Sequence, residues 1–180
     1  MRFVKVSKNM DIYAEIRKLY KQAFPANERA PFFLLMKKAG SAAADFWALY
    51  DGQKWVGIAY VVKYKQLAYL FYFAVKAEER GKGYGKTAIE ALKKQYHGSR
   101  FFLALETLDK AADNYEQRVK RHSFYEKCGL SDMPYKLKEA SVIYDIMGIG
   151  EAVEPEEYRE MMELYVGKFL RRLIDMRIIK

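Results

Sequence analysis

Residues 80–85 have the sequence RGKGYG, in which glycines recur between basic and aromatic side chains where a helix is predicted to begin. The first backbone N–H groups of a helix have no partner inside it, and the helix dipole makes that end partly positive. Glycine lets a ligand approach the backbone closely, and Arg80, Lys82 and Lys86 add full positive charges. The stretch therefore predicts a phosphate-binding turn.

Two common glycine motifs do not fit this turn. The dinucleotide fingerprint needs glycine at its first, third and sixth positions, and the sixth position is not glycine whether the count starts at Gly81 or at Gly83. Residues 85–87 (GKT) match the end of a P-loop, but Arg80 stands where its first glycine should be. Both mismatches disfavour a dinucleotide site and nucleotide hydrolysis.

The elements that must position this turn follow from apolar patterning and turn signals. Strands are predicted at residues 2–6, 45–50, 55–62, 67–75, 100–106, 134–137 and 142–147. Helices are predicted at residues 10–24, 32–38, 83–96 and 115–127, and from Pro155 to about Leu170. Gly57 weakens its strand or marks a bulge.

The order of these elements predicts an α/β fold with a mixed sheet. Asp51-Gly52 is a strong hairpin signal, and the strands at 45–50, 55–62 and 67–75 are joined by short turns, as in an antiparallel meander. The helix at 83–96 then predicts a right-handed crossover to a parallel neighbour at 100–106.

Composition narrows the class of protein. The chain has 180 residues, of which 51% are hydrophobic, so it can bury a sizeable core. Its net charge of +9 favours an anionic partner, and the charge alone leaves nucleic acid and a phosphate-rich cofactor open. Cys128 is the single cysteine, which excludes an internal disulfide and a cysteine-based metal cage. With no long apolar run or signal peptide, a cytoplasmic protein without a membrane or metal partner is expected.

Two motifs in order resemble a known family. Residues 80–85 fill the pattern R/Q-x-x-G-x-G/A directly after a strand, and residues 124–130 (FYEKCGL) place Tyr125 four residues before Gly129. Together they resemble the acetyl-CoA motif and the second signature of the GNAT superfamily of N-acyltransferases. The similarity is strong from about Asp45 to Leu130. Before Asp45, only the order of the predicted helices and strands is similar.

The resemblance implies a GNAT-like mixed, mostly antiparallel sheet of six to seven strands, flanked by helices and splayed at the two central parallel strands. It implies that the N–H groups of the turn hold the pyrophosphate of coenzyme A, and that the open edge of the preceding strand pairs with pantetheine. An N–H group near Phe73 would polarise the thioester carbonyl. The cofactor-binding residues are then expected to be Phe73, Ala74, Val75, Arg80, Gly81, Lys82, Gly83, Tyr84, Gly85 and Lys86.

Two residues are catalytic candidates, the first through the resemblance and the second through its place at the end of a strand, where carboxylates often face a site. Tyr125 would be the general acid that protonates the departing thiolate, the alternative being a packing tyrosine at a helix end. Glu106 would accept the proton of the amine, with substrate binding or a structural ion pair as alternatives. Some relatives carry a glutamate two residues earlier, at Ala104, and many carry an asparagine where this chain has Arg118. Arg118 and Arg121 could instead pair with Glu106 or Asp113, or face solvent.

The expected activity is an acetyl-CoA-dependent N-acetyltransferase that moves the acetyl group directly to a primary amine. A non-catalytic coenzyme A-binding or nucleic-acid-binding module on the same fold is the alternative. The acceptor would be a small-molecule or peptide amine, contacted from the first helix and the loop at 27–31, with Glu28, Arg29, Tyr64 and Tyr72 as candidates. Residues 1–150 are predicted to form the acyltransferase domain and 151–180 a C-terminal helical extension. Whether the chain forms a homodimer is left open by the sequence.

Overall fold

The computed structural model describes residues 1–26, 28–139, 142–167 and 177–179. The strands are β1 (Arg2–Lys5), β2 (Ala44–Asp51), β3 (Lys54–Tyr64), β4 (Leu67–Val75), β5 (Arg100–Glu106), β6 (Ser131–Glu139), β7 (Val142–Gly148) and β8 (Arg177–Ile179). The helices are α1 (Tyr13–Ala23), α2 (Phe32–Ala39), α3 (Tyr84–Gln95), α4 (Tyr115–Lys127) and α5 (Pro155–Val166), and a 3-10 turn covers Ala77–Glu79. Asn27 and the predicted end of the last helix near Leu170 lie outside the described residues.

The strands form a mixed sheet in the order β1-β2-β3-β4-β5-β7-β6-β8, which confirms the predicted α/β class. The predicted parallel neighbours β4 and β5 are paired, and their ladder joins Leu67–Tyr69 to Arg100–Phe102. The described part of the sheet has eight strands rather than the predicted six to seven. The additional strand is β8, which pairs antiparallel with β6 and is too short, at three residues, to show an alternating pattern.

The chain divides into two compact units. The first unit comprises residues 1–63 and 70–95, and the second comprises residues 64–69 and 96–180. Strand β4 is common to both, because the boundary falls between Tyr69 and Leu70. Helix α5 and strand β8 belong to the second unit, and the predicted division at residue 150 stays a prediction.

The core of the first unit is aromatic. Helix α1 buries Ile16, Leu19 and Tyr20, which are spaced by three or four residues as an amphipathic helix requires. The Tyr20 ring contacts the Tyr72 ring edge-on, with 5.0 Å between the ring centroids. Such edge-to-face pairs add to the free energy of burial and fix the packing of α1.

The core of the second unit is closed by α5. Tyr69 of β4 stacks on Phe102 of β5, with 4.7 Å between the ring centroids, and Tyr158 meets the Tyr69 ring edge-on. Arg100 pairs with Glu157 through its two terminal nitrogens, Nη1 and Nη2, which holds the first turn of α5 to β5. The helix is therefore anchored inside its unit by an apolar face and an ion pair.

Gly57 marks the predicted irregularity in β3. The register of β2 and β3 shifts beside it, where Leu49 is opposite Gly57 and Tyr50 is opposite Trp55. A Cβ atom on Gly57 would collide with the carbonyl oxygen of Ala74 and lie 3.1 Å from the Cα atom of Val75. The absence of a side chain thus allows the backbone of β4 to approach β3 closely.

We expect Gly57→Ala to lower the free energy of unfolding by about 1–3 kcal/mol, because the added methyl group meets backbone that cannot turn away. Denaturant unfolding would measure this change. Gly40→Ala is the matched control, since its Cβ would lie 3.5 Å from the nearest atom and its φ of −78° suits alanine. Equal stability of the two variants would show that the approach of the strands is not tight.

Candidate active site

The glycine-rich turn joins β4 to α3 as predicted. Gly81 has a φ of 75° and Gly83 a φ of 84°, which is the left-handed region that favours glycine. A Cβ atom on either residue would meet no atom within 4 Å. The glycines are therefore required by the backbone conformation, and the space above them is open to a ligand. Helix α3 begins at Tyr84, directly after this turn, so its first N–H groups have no helical acceptor.

A buried carboxylate holds the glycine-rich turn in place. Glu79 is 4% exposed, and it accepts hydrogen bonds from Lys54 at 2.8 Å and from Lys82 at 3.1 Å. The Lys54 hydrogen bond lowers the pKa of Glu79 below its ordinary value, against the effect of burial. The sequence did not identify this residue, because nothing in the polar stretch 76–80 distinguishes a buried glutamate from an exposed one.

The basic residues of the turn differ in what they contact. Lys82 is engaged with Glu79, and the Arg80 Nε atom donates to the carbonyl oxygen of Val75 at 3.3 Å. Lys86 is exposed, and within the described part of the chain it has no ion-pair partner. The Tyr84 hydroxyl donates to Asp51 at 3.1 Å, which raises the pKa of this phenol. An anion at the turn would thus meet backbone N–H groups, Arg80 and Lys86.

The end of β4 presents one side of the strand to a ligand. Phe73 and Val75 are half-buried, and the intervening Ala74 is buried, as side-chain alternation along a strand requires. Phe73, Ala74 and Val75 belong to the same unit as the turn, so all the predicted cofactor-binding residues lie in the first unit. Glu106 and Tyr125 belong to the second unit.

The signature FYEKCGL has a structural cause at the end of α4. Gly129 has a φ of 79°, its N–H donates to Glu126, and the N–H of Leu130 donates to the Tyr125 carbonyl at 3.1 Å. This is the hydrogen-bond pattern of a Schellman cap, which needs glycine one residue beyond the helix cap. The spacing of the tyrosine and the glycine therefore fixes Tyr125 one turn before the helix ends.

Tyr125 combines a buried ring with an unpaired hydroxyl. The residue is 7% exposed, and within the described residues its hydroxyl group makes no hydrogen bond. Burial raises the pKa of the phenol above its ordinary value of 10, while the charge of Arg121 acts in the opposite direction. The phenol therefore keeps its proton throughout the neutral range and has a donor available for a ligand.

Glu106 lies at the end of β5 among three donors. Asn114 donates to it at 3.1 Å, Arg121 at 2.7 Å, and Arg118 is 3.2 Å away. Burial raises the pKa of Glu106, but the Asn114 hydrogen bond and the two arginine charges outweigh it, so the net pKa is lowered. Of the alternatives that the sequence left open for Arg118 and Arg121, the structure therefore has the pairing with Glu106.

Arg118 also holds the loop before α4. Its Nε atom donates to Asn114 and its Nη1 atom donates to the carbonyl oxygen of Thr107, each at 2.7 Å. His122 pairs with Asp132 at 2.9 Å on the helix surface. These side chains are occupied by contacts within the second unit.

The predicted acceptor residues have structural contacts. The Tyr72 hydroxyl donates to the Glu28 carbonyl oxygen at 3.1 Å and accepts from the Ala30 N–H at 3.0 Å. The Tyr64 hydroxyl donates to Glu160 at 2.9 Å, and the Arg29 side chain donates to the carbonyl oxygen of Lys21. The side chain of Tyr72 therefore positions the loop by contacting the loop backbone. The position of Tyr72 within a strand did not reveal this role.

The described residues contain no group of histidine, cysteine, aspartate and glutamate side chains that could hold a metal ion. None of their helices has the length and apolar character needed to cross a bilayer.

Comparisons with solved structures identify the fold. A Bacteroides thetaiotaomicron protein assigned to the GNAT acetyltransferases is 17% identical, with a TM-score of 0.74 over 94% of this chain and 98% of that chain. An aminoglycoside 6'-N-acetyltransferase complexed with coenzyme A is 16% identical, with a TM-score of 0.63 over 86% and 99%. A spermidine N-acetyltransferase chimera from Vibrio cholerae and hSSAT is 15% identical, with a TM-score of 0.60 over 82% and 93%.

Sequence comparison gives the family. A search of curated protein sequences finds no match. The family model described as the acetyltransferase (GNAT) family matches residues 13–130, which include the glycine-rich turn and Tyr125. Because this match covers more than half of the chain and the fold agrees with it, the chain belongs to the acetyltransferase (GNAT) family.

Proposed function

We propose that the protein is an acetyl-CoA-dependent N-acetyltransferase that transfers the acetyl group directly to a primary amine. The observation that carries the proposal is the open turn at the start of α3, where Gly81 and Gly83 adopt left-handed conformations below empty space. Backbone N–H groups and a helix N-terminus favour a diphosphate there. Acetyl-CoA supplies the acetyl group as an activated thioester.

The chain's own groups divide the work of binding. The N–H groups of residues 81–86 would hold the pyrophosphate, with Arg80 and Lys86 as charged neighbours. Lys82 contributes less, because Glu79 already neutralises much of its charge. The half-buried edge at Phe73 and Val75 would take the pantetheine arm as an added strand and direct an N–H group at the carbonyl.

Tyr125 is proposed as the acid that protonates the departing thiolate. A general acid must hold its proton at working pH and have a free donor, and burial with an unpaired hydroxyl provides both. Cys128 is the buried C-cap residue of α4, and direct transfer needs no cysteine nucleophile.

Glu106 is better suited to an ion pair than to the base role. A base near neutral pH works best when its pKa is close to 7, whereas the contacts of Glu106 lower its pKa. We therefore propose that it anchors Arg118 and Arg121 and so orders the start of α4. The proton of the amine would then leave by another group or through water.

The acceptor is proposed as a small-molecule or peptide amine in the cytoplasm. Aminoglycosides and spermidine, named for two of the similar structures, are both amines. A second candidate is a module that binds coenzyme A without turnover. It is favoured by the two departures from the family pattern, Arg118 and Ala104, which leave Glu106 in an ion-pair network.

We expect Gly83→Asp to weaken coenzyme A binding at least about tenfold, because the carboxylate would stand where the pyrophosphate binds. Calorimetry would give the affinity, and acetyl-CoA should raise the melting temperature of the wild type by mass action. Gly83→Asn is the matched control, since it has the same shape without the charge. Unchanged affinity in the aspartate variant would exclude the turn as the cofactor site.

Tyr125→Phe should lower kcat by a factor on the order of 100 or more while the affinity for coenzyme A stays within about twofold. A thiol-release assay over a panel of amines would measure turnover. Tyr115→Phe, on the same helix, should keep wild-type turnover. If Tyr125→Phe has full activity, the tyrosine only packs; if the wild type releases no thiol with any amine but binds acetyl-CoA, the non-catalytic module is correct.

Glu106→Gln should lower the free energy of unfolding at pH 7 by about 1–3 kcal/mol, because two arginines lose a charged acceptor. The folded-state pKa of Glu106 lies below its ordinary value of 4.5, so its stabilisation is present above that pH and is lost as the pH falls below it. The stability difference between variant and wild type should therefore shrink in acid.

Denaturant unfolding between about pH 3 and pH 7 would measure that difference. Glu116→Gln, an exposed position on α4, is the control and should change stability much less. A large loss of kcat in Glu106→Gln without a loss of stability would instead support the base role.

A further inference from the structure

The first unit has an open groove between α1 and α2 whose charges the proposed reaction does not use. Its volume is about 760 Å³, within the range of ligand sites. The basic side chains that line it are Lys8, Arg17, Lys21 and Lys37, and the apolar ones are Tyr13, Phe32, Phe33 and Met36. Among the described residues, no carboxylate lines it. We call this feature the α1–α2 groove.

Within the described part of the chain, none of the four cations of the groove lies within ion-pair distance of a carboxylate. Other lysines of the same unit do have such partners: Lys63 is 2.8 Å from Asp45, and Lys54 is 2.7 Å from Glu79. Arg17 and Lys21 are one turn apart on a single helix face, where like charges repel. An anionic ligand would relieve this repulsion.

The floor of the groove is apolar and partly exposed. The Tyr13 and Phe32 rings contact each other edge-on, with 5.8 Å between their centroids, and so join the two helices. Phe33 is 69% exposed, which is unusual for a large apolar side chain. Met36 has a flexible thioether that adapts to varied partner side chains. The ligand should therefore present apolar groups beside its negative charges.

We propose that the α1–α2 groove binds an acidic amphipathic segment of a partner protein. Apolar side chains of the segment would contact the floor, and its carboxylates would pair with the four cations, as in helix-in-groove recognition. The lining positions 13, 17 and 21 extend over about 12 Å of α1, which matches about two turns of a bound helix.

Single-stranded nucleic acid fits the groove less well. Such ligands stack successive bases on aromatic faces, and here Tyr13 and Phe32 already contact each other, which leaves Phe33 as the exposed ring. A flat anionic membrane would complement a protruding face better than a groove. The assignment to a polypeptide is independent of the proposed acetyl transfer, because it rests on residues outside the glycine-rich turn and α4.

The test is fluorescence anisotropy with a labelled synthetic peptide of about 16 residues, in which leucines recur at helical spacing and the other positions are mostly glutamate. Binding by the full chain is expected at low salt, and it should weaken as salt screens the charges. A peptide with glutamine in place of glutamate, and one with serine in place of leucine, should each bind about tenfold more weakly. Equal binding of either peptide would overturn the amphipathic assignment.

Protein variants locate the site. Arg17→Glu with Lys21→Glu should weaken peptide binding about tenfold or more, and Phe33→Ala should weaken it severalfold. The matched controls are Lys18→Glu with Lys94→Glu, which are exposed lysines outside the groove, and Leu164→Ala, an apolar residue that is 59% exposed. Equal losses in variants and controls would overturn the proposal.

Rival ligands complete the test. Labelled oligouridine and vesicles containing phosphatidylserine should bind more weakly than the peptide. The groove variants should reduce the binding of these ligands no more than the control variants do. Tighter binding of either one, lost in Arg17→Glu with Lys21→Glu, would assign the groove to nucleic acid or to lipid and overturn the polypeptide assignment.

Discussion

A buried carboxylate constrains the glycine-rich turn. Removing the charge of Glu79 from water is costly unless partners compensate it, and Lys54 and Lys82 do so from the start of β3 and from the turn itself. These two contacts tie the backbone before α3 to the start of β3 through Lys54 and to the turn through Lys82. Gly81 and Gly83, which flank Lys82, adopt left-handed conformations in this constrained stretch. One consequence is that the N–H groups, more than Lys82, give the turn its capacity for anions.

Much of this fold could be predicted because its central elements are long and strongly patterned. The predicted bounds of β4, β5 and α4 agree with the structure, since each element has a clear apolar pattern and is ended by a glycine or by polar residues. Of the two alternatives for Gly57, a weakened strand or a bulge, the structure has an irregular register beside it. Strand β8 was missed because three residues carry no periodicity.

The polar contacts could be predicted only in part. The sequence showed that Arg118 and Arg121 could pair with Glu106, but not that Asn114 joins them, because that contact depends on how the loop before α4 folds. Burial of Glu79 and the contact of Tyr72 with the loop at residues 28–30 depend on tertiary packing. Spacing along the chain identifies a carboxylate or a tyrosine, and the fold decides which atoms it meets.

Strand β4, which belongs to both units, has a consequence for synthesis on the ribosome. Residues 64–69 are made before residues 70–95, yet the partners of Leu67 and Tyr64 are Arg100 and Glu160, far later in the chain. The residues of the first unit are therefore all made while the first part of β4, although β3 precedes it, still lacks β5 and α5. Loop closure over such separations is slow, so the nascent chain exposes one open edge of this aromatic strand end until β5 and α5 emerge.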